Sequence, residues 1–308
     1  MKILLIGTPA ENTATAELLR KSKDQIDQVY CWGGNLPSDL FSQNFGLPKD
    51  ATISQVAKTA READIDLVIL TSEEAILSGI ANALQTYRIP CFGPTRVASH
   101  FRWDTNFAAE TIAKLNIPSV TISVHYDVND MCDAILNLKE LGDGIAIRAV
   151  RNDGRVQHFN CVSVNEIADA VYTLESMPDI KSYTRFYLEN ILQGVRCQYV
   201  AMVSGNAIRA VGLSSELRER ITKQVAKKML KAISEDDALY TGWLVIDTIL
   251  TKDKIFVVDI SCMPPAEYIN SLTANLDFNF LRETQLLMFN SGYQDNSVEI
   301  ASGIPVQL

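Results

Sequence analysis

Two aspartates, Asp247 and Asp259, stand in the stretch GWLVIDTILTKDKIFVVDIS (242–261). Asp247 has Leu244, Val245, Ile246 and Ile249 around it; Asp259 has Val257, Val258 and Ile260. A carboxylate buried in such company is costly unless a cation or hydrogen bonds compensate. Two acids on paired strands can hold a hard cation, and Mg²⁺ usually arrives with phosphates attached. The same residues also suit two half-buried strands that each show one acid to water. The hairpin alone leaves both readings open. The polar run TKDK (251–254) marks the turn between the strands.

Composition narrows the setting for that chemistry. A chain of 308 residues exceeds the usual single-domain size, so two or three packed units are expected. The apolar fraction of 47% and charged fraction of 21% suit a soluble globular protein. No apolar run approaches the roughly 20 residues of a membrane span, and MKILLIGTPAENTA reads as a first strand and turn rather than a leader. The six cysteines form no CxxC pair, which suggests reduced core thiols and a cytoplasmic setting. Three isolated histidines offer no metal-ligand spacing. A net charge of −9 argues against a nucleic-acid or anionic-membrane surface, though not against a local basic pocket.

The elements that must position these residues fall into two styles. Residues 1–95 alternate: strands at Lys2–Ile6, Gln28–Trp32, Leu67–Leu70 and Pro90–Phe92, helices at Glu11–Ser22, Ser54–Ala63 and Glu73–Tyr87. Gly33–Asn35 is read as a turn. This βαβ rhythm predicts a parallel sheet with ligands at the carboxyl ends of its strands. A helix is expected over 96–118. The remainder reads as α+β: strands at Val120–Val124, Gly144–Val150 and Arg155–Cys161, then near 183–189, 195–203 and 206–213. Helices are expected at Val128–Leu141, Asn165–Met177, Ser215–Ile233 and Asp277–Asn290. In Ser215–Ile233, Leu217, Ile221, Val225 and Leu230 share a face, leaving Arg218, Arg220, Lys223, Lys227 and Lys228 for solvent.

An ordered set of short matches resembles phosphoribosylamine–glycine ligase. The set runs ILLIG (3–7), VYCWGGN (29–35), the stretch 66–120 with TSE (71–73), CFGPT (91–95) and NIP (116–118), then YLENILQG (187–194), LYTG (239–242) and TKDKIFVVDIS. The resemblance implies an α/β N-terminal parallel-sheet domain, Rossmann-like and preceding the ATP-grasp lobes, followed by α+β ATP-grasp lobes. Its boundaries would be a preliminary domain at 1–95, a linking helix at 96–118, a lobe at 119–190 with the hinge near 190, and a second lobe with the tail at 191–308. It implies ATP and Mg²⁺ as cofactors and small-molecule carboxylate and amine substrates, joined through an acyl phosphate. Charge and the absence of an apolar span already speak against a nucleic-acid or membrane partner, and a homo-oligomer stays open. Residue by residue, Arg148 falls at the family's phosphate-contacting strand lysine, and Arg155 could cover a phosphate. Glu189 falls where an acid meets adenine or ribose, with Ile191 and Leu192 offering backbone groups to adenine. Gly7, Asn35 and Glu73 match sugar-phosphate positions. Asp259 and Ser261 match metal ligands, and Asp247 is similar to strand acids of other ATP-grasp enzymes. No catalytic residue is assigned.

The chain also departs from the pattern. TPAENTA (8–14) replaces a glycine-rich turn, Thr105 stands at a helix lysine, and AVRNDGRVQ (149–157) is a short phosphate loop with Gly154 alone. Arg196 stands where an acid follows the hinge glycine, Met263 near where an arginine follows the metal ligands, and no stretch matches the family's C-terminal domain. Three functions follow. One is a divergent ATP-dependent carboxylate–amine ligase of purine-biosynthesis type. The departures favour the alternative, a non-catalytic nucleotide- or metabolite-binding regulatory or scaffold protein. A dinucleotide binder is the third, weakened because GTPAENTA lacks the G-x-G-x-x-G spacing.

Overall fold

The computed structural model describes residues 1–33, 42–138, 143–153, 155–235, 239–274 and 278–289. In chain order the first elements are β1 (Lys2–Ile6), α1 (Pro9–Leu19), β2 (Gln28–Trp32), β3 (Ser42–Asn44), α2 (Ile53–Glu62), β4 (Leu67–Leu70), α3 (Glu73–Leu77), α4 (Ile80–Thr86), β5 (Cys91–Phe92) and α5 (His100–Trp103). Then come α6 (Thr105–Lys114), β6 (Thr121–His125), α7 (Val128–Leu136), β7 (Ile145–Arg151), β8 (Val156–Cys161), α8 (Val164–Glu175) and β9 (Tyr183–Asn190). The chain continues through β10 (Val195–Ser204), β11 (Ala207–Val211), α9 (Ser215–Ile221), a π-helical turn (Thr222–Ala226) and α10 (Lys227–Glu235). It closes with β12 (Thr241–Leu250), β13 (Ile255–Ser261), α11 (Ala266–Thr273) and α12 (Phe280–Phe289). The α/β opening and the α+β remainder match the expected fold class.

Two compact units emerge, each from discontinuous chain: Met1–Asp104, Gln198–Ile246 and Ile260–Gln307 in the first, Thr105–Cys197 and Asp247–Asp259 in the second. The first holds the parallel sheet, in the order β3-β2-β1-β4-β5. β1 and β4 read KILLI and LVIL and are almost wholly buried, as central parallel strands must be. Strand order reverses between β1 and β4, which makes their carboxyl ends the natural crevice. The core of this unit runs from Ile3, Leu5 and Ile69 through Leu18 of α1 to Ile269, Phe280 and Leu287. Phe92, Trp243 and Phe280 lie at its centre; Trp243 and Phe280 stack 5.6 Å apart with 4° between their planes, and Phe92 meets both edge-on.

The second unit is built on an antiparallel sheet, β6-β9-β7-β8. One face packs on α7 and α8 through Ile145, Ile147, Ala149, Phe186 and Leu188 against Met131, Ile167, Ala170 and Leu174. A further sheet has the order β11-β10-β12-β13.

Several helices differ from expectation for local reasons. Glu73–Tyr87 is two helices, because Gly79 takes a left-handed φ of 79°. The helix over 96–118 is also two, starting at His100 and broken at Asp104, whose φ of −121° and ψ of 97° are extended. The helix after Ser214 passes through the π turn, and Arg218 is only 4% exposed rather than solvated. β3 has no counterpart among the expected strands; its three polar residues, SQN, carry no strand pattern. Asn35, Gly154 and the tail from 290 lie outside the described residues. All six cysteines are free thiols, and burial pushes those of Cys31 and Cys262 up to about 12. Among the described residues no helix is long and apolar enough to cross a membrane.

Candidate functional site

Side chains alternate across a strand, so the residues of β7, β8 and β9 that miss the α7–α8 core lie together on the other face. Register places Arg148 opposite Tyr187 on one side and His158 on the other, with Ala146 opposite Glu189. Glu189 is thus the diagonal neighbour of Arg148, within reach of a long side chain. The Arg148 guanidinium donates to Glu189 Oε1 from Nη2 at 2.7 Å and from Nε at 3.1 Å. Its carbon lies 4.0 Å from the centroid of the Tyr187 ring, a close cation–π contact. The Tyr187 hydroxyl shares a 2.8 Å hydrogen bond with Thr105 Oγ1 at the start of α6, and Arg185 Nη1 donates to the same oxygen at 3.4 Å.

This constellation joins two positions named from sequence, Arg148 and Glu189, with one that the resemblance marked as a departure, Thr105. Tyr187 and Arg185 were not singled out. Their signal was the spacing in β9, YTRFYLEN, where Arg185, Tyr187 and Glu189 recur at every second residue. The side chains of Arg148 and Glu189 are 34% and 18% exposed, so water reaches the pair and a ligand could too. A planar guanidinium held by an aromatic ring and one carboxylate oxygen can recognise an oxyanion, provided Glu189 yields.

The other expected nucleotide contacts lie in the same unit. Arg155 sits at the β7–β8 hairpin tip, 77% exposed, with Nε 3.2 Å from Asp153 Oδ2. The Arg155 backbone N–H donates to Asp153 Oδ1 at 3.1 Å and holds that carboxyl below the usual range, helped by the charges of Arg151 and Arg155. Ile191 and Leu192 follow β9 half-buried. The Ile191 N–H already donates to Gly144 O at 3.0 Å, so it is committed to the sheet entry rather than offered outward. Gly194 is required there: a Cβ would meet Leu250 O at 2.4 Å.

Of the expected metal ligands, Asp247 is half-buried on β12 and Asp259 is exposed on β13. Of the two readings left open, burial of both acids is therefore the one to drop. Ile255 and Val257 bury their positions on β13, but that burial has run out by Asp259, which keeps its hydration. The Ser261 hydroxyl donates to Met263 O at 3.3 Å. Among the described residues no group of three or more His, Cys, Asp or Glu side chains is placed to hold a metal ion.

The crevice positions of the first unit are occupied by the protein itself. Gly7, just past β1, lies so close to the end of β4 that a Cβ would stand 2.1 Å from Thr71 Oγ1 and 2.9 Å from Ser72 N. Asn12, fully buried, donates to Gly7 O at 3.1 Å and accepts from Thr71 Oγ1 at 2.6 Å. Glu73 opens α3 and accepts a two-pronged pair from Arg102, Nε to Oε1 at 2.8 Å and Nη2 to Oε2 at 3.0 Å. The expected turn TPAENTA is instead the start of α1, and Glu11 in its first helical turn has a buried Oε2 without a hydrogen-bond partner among the described residues. Burial, and then the nearby Glu74 charge, raise its pKa against the lowering effect of its own backbone N–H.

Comparison with known proteins bears on the family likeness and the fold. Residues 1–101 match the model of the phosphoribosylglycinamide synthetase N domain. Phosphoribosylamine–glycine ligase of Methanopyrus kandleri is 26% identical over 198 residues, 63% of this chain and 41% of the relative. The chain spans about half the length of the curated relatives it matches first. Among solved structures, phosphoribosylamine–glycine ligase of Thermotoga maritima superposes with a TM-score of 0.63 at 14% identity, covering 88% of this chain and 71% of that one. Biotin carboxylase of Campylobacter jejuni, solved as a β-γ-ATP complex, gives 0.64 at 13% identity, covering 97% and 73%. Similarity at this identity speaks to the fold alone. The chain is thus similar in sequence to phosphoribosylamine–glycine ligases, with their N domain at 1–101, and shares the fold of their solved structures.

Proposed function

We propose that this protein is an ATP-dependent carboxylate–amine ligase whose nucleotide phosphates lie on the open face of the β6-β9-β7-β8 sheet. The observation that carries the reading is the convergence of Arg148, Tyr187, Glu189 and Thr105 on that face. Arg148 would hold a phosphate oxygen, and Arg155 at the hairpin tip would cover the phosphates. Glu189 would exchange its bond with Arg148 for ribose or adenine groups. Since the Ile191 N–H is bonded to Gly144 O, adenine would be met by the Ile191 carbonyl or the Leu192 backbone. A second substrate would have to displace Arg102 from Glu73 to be met in the first unit.

Mg²⁺ fits the chemistry of Asp247, Asp259 and Ser261, which are all oxygen donors. One or two carboxylates suffice for Mg²⁺ when phosphates and water complete its shell. Bound there, the ion would neutralise phosphate charge. The implied reaction transfers a phosphoryl group to a substrate carboxylate, releasing ADP. Attack of an amine on the acyl carbon then forms the amide and expels phosphate. This chain's part is to position the two substrates and keep water from the activated carboxyl.

Thermal melting with and without Mg·ATP tests the reading, because a ligand that binds only the folded state raises the midpoint. A rise that needs Mg²⁺ and vanishes in Arg148→Ala is expected. No rise at millimolar Mg·ATP would overturn the assignment. ADP release that depends on both a carboxylate and an amine would identify turnover.

A further inference from the structure

The helical segment α9–π turn–α10 carries a cleft that the proposed ligase chemistry does not use. Its volume is about 260 Å³, and its floor includes Ala210 of β11. Ser215, Arg218, Glu219, Thr222, Lys223 and Lys227 line it. Three cations face one carboxylate, in a chain whose net charge is −9.

The π turn is what gathers them. In an unbroken α-helix, Arg218 and Lys227 are nine residues apart and point about 180° away from each other. The turn over Thr222–Ala226 takes up one extra residue, with the Lys227 N–H bonded back to Thr222 O. One residue is worth about 100° of rotation, so the two cations come to about 80° apart, on one side of the helix. The turn is anchored from below, where the buried Tyr199 hydroxyl shares a 2.8 Å hydrogen bond with Thr222 Oγ1. Arg218 is 4% exposed and interacts within the protein, which holds it still. Lys223 pairs with Glu219 Oε1 at 2.5 Å, leaving the lining with more positive than negative charge.

We propose that this cleft binds the phosphate group of free phosphate or of a small phosphomonoester. The volume lies just below the ~300–1,000 Å³ of drug-sized pockets, which restricts the occupant to a phosphate with a few attached atoms. The charge balance selects a dianion, and Arg with Lys lining one cleft is a donor set that oxyanions favour.

Titration with inorganic phosphate, followed by the thermal midpoint at constant ionic strength, tests the site. A saturating rise is expected that sodium chloride does not reproduce. The Lys223→Ala/Lys227→Ala double variant, altered only at exposed residues, should weaken apparent phosphate affinity about tenfold or more. Arg148→Ala should leave the response intact, which separates this cleft from the proposed nucleotide face. Affinity for a phosphomonoester such as glycerol 3-phosphate should also fall as pH drops below about 6, where its dianion protonates. Competition by glycerol 3-phosphate would identify an ester as occupant; failure to compete would identify free phosphate. The proposal is overturned if phosphate gives no saturable rise, if the double variant responds like the parent, or if Arg148→Ala abolishes the response.

Discussion

The two units each carry an arginine–glutamate pair where a ligand was expected, and they use it differently. In the first, Arg102 grips both oxygens of Glu73, while Gly7, Asn12 and Thr71 lock the strand ends to one another. In the second, Arg148 holds one oxygen of Glu189, and its guanidinium plane rests on the Tyr187 ring. The first arrangement satisfies its groups internally and leaves little for a ligand. The second keeps an open face on which one ion pair can be exchanged for another. A crevice at the carboxyl ends of parallel strands is thus a site only if its turn leaves groups unspent.

The largest test of this contrast is Gly7→Ala. A methyl 2.1 Å from Thr71 Oγ1 and 2.9 Å from Ser72 N cannot be accommodated without moving backbone. Loss of about 3 kcal/mol is expected, read as a lower urea midpoint at unchanged slope; an unchanged midpoint would show the crevice to be loosely joined. Glu189→Gln follows, at about 1 kcal/mol from a partly exposed pair. It should weaken the Arg148 bond and remove a carboxylate from ribose or adenine, lowering stability without ligand and shrinking the Mg·ATP-induced rise in melting midpoint. A larger rise instead would confine Glu189 to holding Arg148. Tyr187→Phe removes the hydroxyl bonded to Thr105 but keeps the ring under Arg148, so about 0.5–1 kcal/mol should be lost with the Mg·ATP response kept.

Glu11→Gln should have the smallest effect and a pH signature. The folded-state pKa of Glu11 is raised, so the folded protein binds the proton more readily than the unfolded chain. Its favourable contribution is present below the ordinary carboxylate pKa and is lost as pH rises through the raised value. The variant should therefore melt slightly higher than the parent at neutral pH, and the gap should close below about pH 4. A constant gap across that range would mean that packing, not ionisation, sets the difference.

Much of the scaffold was legible because it follows from local periodicity. The runs KILLI and LVIL have the length and apolarity of buried parallel strands, and TSEEA (71–75) places a capping serine ahead of acidic residues. Arg148 and Glu189 were found through the order of motifs, and every-second-residue spacing would have added Tyr187 and Arg185. The sequence by itself therefore determined most of the strands and helices and most of their polar faces, since those depend on neighbours within a few residues. Exposure of Asp259, commitment of the Ile191 N–H to Gly144 and closure of Gly7 against Thr71 all required the partner strand to be in place. The placing of Arg218 beside Lys227 likewise depended on a single π turn, whose anchor Tyr199 comes from a different strand. These are contacts between residues distant in the chain, and only the tertiary structure could decide them, because hydrogen bonding and burial are settled by what lies opposite in space.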